Sequence, residues 1–110
     1  RADAAFLANQ IIGSLWGEVP GNRADYVNGI DATQAGASGC QAGGAAASSP
    51  EALAWLGQVA RLLPEATANR QQITINNDNV TVRVCWLDRS DNAGGVYHNH
   101  VITAQINRNE

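Results

Sequence analysis

Residues 73–87 read ITINNDNVTVRVCWL. Apolar and polar side chains alternate here, which sends successive residues to opposite faces of a strand. "QITIN" at 72–76 and "VTVRVCWL" at 80–87 are separated by "NDN". Asn and Asp tolerate positive φ, so the stretch predicts a β-hairpin. On its second strand Val80, Val82, Val84 and Trp86 share one face, and Thr81, Arg83, Cys85 and Leu87 the other. Downstream, "VYHNHVITAQI" at 96–106 predicts a third strand, with His98, His100, Ile102, Ala104 and Ile106 on one side. "DRSDNAGG" between them reads as a loop.

Upstream the period changes to that of a helix. In "SSPEALAWLGQVARLLP", Ser48 or Ser49 can serve as N-cap, Pro50 suits the first turn and Glu51 favours the positive helix end. Leu53, Leu56, Val59 or Ala60, and Leu63 form the expected buried stripe, with Trp55 beside it as a packing residue. Pro64 closes this helix, predicted over 50–63. The opening stretch "RADAAFLANQIIGSLW" predicts another helix, over 1–16. Ala4, Ala5, Ala8, Ile11, Ile12 and Leu15 supply its apolar face, and Phe6, Leu7 and Trp16 widen that face. Gly17 and Pro20 are its stop signals. It has no strong start: Asp3 could cap it, but a helix cut in its middle accounts better for the opening.

Residues 17–49 are rich in Gly, Ala and Ser and cannot build a core of their own. Tyr26, Val27 and Ile30 are expected to anchor the front half of this loop, and "GGAAASS" has linker composition. The order is helix, long loop, helix, then a meander over 72–106. That order predicts one α+β domain with an antiparallel meander of three or four strands packed on helix.

Cys40 and Cys85 are the only two cysteines, and their spacing fits no metal motif. A disulfide is the sharper reading, and two unrelated buried thiols the plainer one. A bond would close a loop of roughly 46 residues, contribute about 4 kcal/mol in the chain-entropy model, and imply an oxidising compartment. At 110 residues the chain is one modest domain. Its net charge of −3, with all seven basic residues Arg, argues against a general nucleic-acid binder. No run of about 18 apolar residues is present to span a membrane.

Candidate chemistry is thin. His98 and His100 lie i, i+2 on a strand and could share a metal if Asp88 or Asp91 supplied a third ligand. "HNH" is also the name of a nuclease motif, but that motif spreads over tens of residues, so three adjacent letters do not match it. A polar sheet face or edge is the plainer reading. Ser90, Asp88 and His98 lack the nucleophile elbow of a hydrolase. Glu18, Glu51 and Glu65 show no pairing for acid–base work. "GASGCQAGG" follows no strand, so phosphate cradling is not indicated. The sequon at Asn79–Thr81 falls in a tight hairpin and reads as chance. No catalytic residue, metal or cofactor is indicated.

What stands out is an apolar, uncapped helix in front of a compact α+β head. "AAFLANQIIGSLW", then "SSPEALAWLGQVARLLPEA", "ITI" and "VTVRVCWLD", in that order, resemble a type IV pilus minor pilin of the PilV type. The likeness covers about two thirds of the chain; its order is more specific than any one motif. It implies a non-catalytic subunit that primes pilus assembly with other minor pilins and the major pilin. Residue 1 would lie mid-helix, with a leader and an apolar membrane anchor before it. Location would be the inner membrane and periplasm, then the extracellular pilus, with no nucleic-acid partner. The resemblance points to Phe6, Leu7 and Ile11 as subunit contacts. Rival readings are a minor pseudopilin of a type II secretion system, a tip adhesin using loops 36–49 and 88–95, and a small periplasmic metalloenzyme using His98 and His100.

Overall fold

The computed structural model describes residues 2–17, 20–28, 40, 46–76, 78–88 and 96–106. It is an α+β domain. Helix α1 spans Ala2–Trp16 and helix α2 Pro50–Leu62. Strands β1 (Gln72–Asn76), β2 (Asn79–Asp88) and β3 (Val96–Gln105) form an antiparallel sheet in the order β1-β2-β3. Short 3-10 segments at Pro20–Tyr26 and Ala68–Arg70 complete the described elements. Ile30, Glu18, Ser90 and Asp91 lie outside the described residues, as do most of loops 36–49 and 88–95.

The alternation in β2 becomes burial. Val80, Val82, Val84 and Trp86 turn inward, opposite Ala104, Ile102, His100 and His98 of β3. Ile73 and Ile75 of β1 lie on the same face, opposite Val82 and Val80. Helix α1 covers β2 and β3 there, with Ala4, Leu7, Ala8, Ile11, Ile12 and Leu15 all buried. A fully buried Leu contributes about 2–3 kcal/mol through removal of apolar surface from water.

Helix α2 packs beside α1. Ser49 is its N-cap: its Oγ accepts from the Ala52 N–H at 3.5 Å and donates to Glu51 at 3.0 Å. The stripe it buries is Ala52, Trp55, Leu56 and Val59, closed by Leu63. Of the alternatives Val59 and Ala60, Val59 is the buried one; the expected stripe is corrected in two places, since Leu53 is 52% exposed and Trp55 lies within the stripe rather than beside it. Trp55 takes the interior, because its indole Nε1–H needs a buried acceptor and finds the Leu7 carbonyl of α1 at 2.7 Å. That choice turns Leu53, two positions earlier, away from the core.

Two buried polar side chains hold the sheet's first edge. β1 pairs with β2 only as far as Gln72↔Arg83, after which the chain turns away. Gln71 carries the ladder one step further with its side chain. Its Oε1 accepts from the Cys85 N–H at 2.6 Å, and its Nε2 donates to the Cys85 carbonyl at 2.9 Å. The amide thus stands in for a peptide group. One step beyond, the Leu87 N–H donates to the Pro64 carbonyl at 2.9 Å. A Gln71→Leu variant keeps the volume but strands both Cys85 groups, so it should unfold with about 2–3 kcal/mol less free energy. Chemical denaturation checks this; a loss under about 0.5 kcal/mol, the ordinary surface range, would refute it.

Asn28 plugs the outer edge of β1. It forms an isolated bridge with Ile73, donating to and accepting from its main chain at 3.0 Å. The side chain gathers two more segments. Nδ2 donates to the Ala68 carbonyl at 2.9 Å and the Gln71 carbonyl at 2.8 Å, while Oδ1 accepts from the Ala47 N–H at 3.0 Å. The N–H groups of Ser48 and Ser49 both donate to the Asp25 carbonyl. The chain therefore leaves the body near Asn28 and rejoins it at Ala47. Tyr26, beside this junction, is fully buried as the sequence suggests.

Candidate interaction surface

Helix α1 has two unlike faces. One is consumed by the sheet. Opposite it, Phe6 is 61% exposed and Trp16 48% exposed, and a Cβ built at Gly13 would meet nothing within 4 Å. Phe6 and Gly13 are seven residues apart, so they lie along nearly one line of the helix, with Trp16 one turn further on. An aromatic knob beside a side-chain-free dimple is a shape that another helix can fit. The polar neighbours on this surface bond to α1 itself: Asn9 donates to the Ala5 carbonyl at 3.1 Å and Ser14 to the Gln10 carbonyl at 3.4 Å.

Alongside runs an open groove of about 230 Å³ between the two helices, lined by Gln10 and Ser14 of α1 and by Glu51, Ala54, Trp55 and Gln58 of α2. Leu62 on α2 is 49% exposed.

The three residues expected to contact neighbours separate. Phe6 projects outward. Leu7 and Ile11, at 0% and 1% exposure, are core residues, which corrects their place at a surface. The reason is geometric: they stand four apart on the line facing the sheet, and 100° per residue sends Phe6 away from it.

No comparable convergence of chemical groups occurs elsewhere among the described residues. Asp88 Oδ2 is 3.9 Å from His98 Nε2, beyond hydrogen-bond reach. The His98 ring instead stacks on Trp86, with centroids 6.2 Å apart. His100 lies opposite Val84. Among the described residues no three His, Cys, Asp or Glu side chains gather as a metal site would require.

The disulfide is formed. Cys40 bonds Cys85 across 45 residues, with Cα atoms 5.8 Å apart. Arg70 reinforces it, donating from Nη1 to the Cys40 carbonyl at 2.7 Å while its guanidinium lies 4.2 Å over the Tyr97 ring. The Tyr97 hydroxyl in turn donates to the Glu65 carbonyl at 3.3 Å.

Comparison with known family models, curated proteins and solved structures finds no match. The surface must therefore be read on its own geometry. Among the described residues no helix is long and apolar enough to cross a membrane.

Sequence reasoning singled out neither Asn28 nor Gln71. Both are buried polar residues whose work is to replace missing backbone partners, and such work leaves no periodic mark.

Proposed function

We propose that this domain is the head of a type IV pilus minor pilin of the PilV type, a non-enzymatic subunit that helps prime pilus assembly. The observation that carries the reading is the second face of α1. Its inner face is fully occupied, yet the helix still presents Phe6, Gly13 and Trp16 outward. In this reading α1 is part of a spine that packs against the helices of other minor pilins and the major pilin, with Phe6 as the leading contact. The α+β order, a helix in front of an antiparallel meander, suits such a head. The disulfide suits an oxidising compartment such as the periplasm through which such subunits pass.

Gly13→Leu separates assembly from folding. Nothing opposes the new side chain, and removing a helical glycine should raise stability by about 0.5–1 kcal/mol. Filling the dimple should at the same time lower the number of surface pili and the recovery of partner pilins on co-purification. Phe6→Glu should leave stability within about 0.5 kcal/mol and impair assembly in the same way. Full piliation with both variants would remove the reading. The gene upstream of Arg1 offers a second check: a leader ending in Gly, then Phe or Met, an apolar run and a Glu five residues in.

A further inference from the structure

The sheet has two edges, and they are treated differently. On β1 the outward main-chain groups of Ile73 are bonded to Asn28. On β3 the inner and outer groups can be assigned from the ladder. Ile106 donates to the Asp78 carbonyl at 2.7 Å, towards β2. Antiparallel strands alternate the direction of their main-chain groups, so Ala104, Ile102, His100 and His98 also point towards β2. Val101, Thr103 and Gln105 therefore point their N–H and C=O groups away from the sheet. Among the described residues these groups meet no partner, and all three side chains are exposed.

Exposed edges normally carry a device that blocks pairing: a charge, a proline, a bulge or a short strand. β3 carries none of them. Val96–Gln105 is ten residues long, contains no Pro, Gly or charged residue, and pairs with β2 in unbroken register. Only an extended backbone offers alternating donors and acceptors at the spacing this edge requires.

We infer that two copies of this chain join through β3, antiparallel, about a two-fold axis at Thr103. Self-pairing is what this edge fits. Thr103 then faces its own copy, and Val101 faces Gln105 in both directions, so no like charges are opposed although each chain carries −3. About six main-chain hydrogen bonds form. On the inner face Ile102 and Ala104, partly buried against the core, come to lie beside Ala104 and Ile102 of the second copy, so apolar surface continues across the junction. The contact involves the sheet edge and not the outer face of α1, so it stands apart from the pilin reading.

A junction this short binds weakly, with an expected dissociation constant of about 10–500 µM. Sedimentation of the wild-type chain should show a monomer–dimer equilibrium in that range. Salt should strengthen it by screening repulsion between the two acidic bodies. The amides of Val101, Thr103 and Gln105 should gain hydrogen-exchange protection as concentration rises. Thr103→Pro removes an outward N–H and the exposed hydroxyl contact with Thr81 at 3.2 Å but no ladder bond to β2, and proline is tolerated on an edge, so it should weaken dimerisation at least tenfold. Thr103→Lys and Thr103→Glu should each be monomeric alone, and an equimolar mixture should dimerise more strongly than either, because the axis places position 103 opposite itself. The mixture keeps the test decisive if the proline variant fails to fold. Wild-type protein that stays monomeric to about 1 mM overturns the inference. So does dimerisation untouched by Thr103→Lys, or a mixture no better than its parts. Pairing of β3 only with a strand of another protein would appear as the first of these.

Discussion

Asn28→Asp is expected to destabilise the domain by about 3–5 kcal/mol, the largest effect of any single polar substitution considered. The two side chains are nearly isosteric, so the loss is chemical. Asn28 donates two hydrogen bonds, to the carbonyls of Ala68 and Gln71, and accepts one from Ala47. A carboxylate keeps the third and turns the first two into oxygen facing oxygen, at a site only 3% exposed. Since a small domain has about 5–15 kcal/mol to lose, a large share of its stability is at stake. The melting temperature should fall by about 12–20 °C. Asn28→Ala should cost less, about 2–4 kcal/mol, because it strands the Ala47 N–H without opposing charges to carbonyls. Asn9→Asp on the exposed face of α1 is the control and should move stability by no more than about 0.5 kcal/mol. Thermal and urea unfolding of the three variants decide the matter. If Asp and Ala at position 28 cost the same, side-chain donation there is not what holds these segments together.

Breaking the Cys40–Cys85 bond should cost about 4 kcal/mol, by reduction or in a Cys40→Ala, Cys85→Ala double variant. The bond ties the long segment between the helices to the middle of β2, 45 residues away. Opening it releases that loop in the unfolded chain and raises the entropy gained on unfolding. The native fold should persist, because Gln71 still pairs the Cys85 main chain and Arg70 still holds the Cys40 carbonyl. Two readouts follow. The urea midpoint should fall, and the slope of unfolding free energy against urea should rise, since the uncrosslinked denatured chain exposes more surface. Reduced protein that melts within about 2 °C of the oxidised form would mean that the loop entropy is offset in the native state.

Much of this architecture could be read before any coordinates. The hairpin, the third strand and both helices stand where the periods of two and 3.6 place them, because patterned burial is what those elements require. The inward row Val80, Val82, Val84 and Trp86 follows directly from alternation. The pairing of the cysteines was one of two readings, and the fold selects it by bringing residue 40 to the sheet. Helix faces were harder. The first half of α1 is apolar nearly all the way round, so its period does not choose between Leu7 inside with Phe6 outside and the reverse. In α2 the choice between Leu53 and Trp55 depended on an acceptor, the Leu7 carbonyl, that belongs to another helix.

Sequence by itself determined the elements, their order and the alternating faces of the sheet, because these depend on neighbours a few residues away. Tertiary structure alone decided which side of α1 remains outward, how Asn28 partners Ile73 and Gln71 partners Cys85, and that among the described residues nothing pairs with the outward groups of Val101, Thr103 and Gln105. Those outcomes depend on which unpaired main-chain groups and which buried surfaces distant segments bring together. Local periodicity carries no record of them.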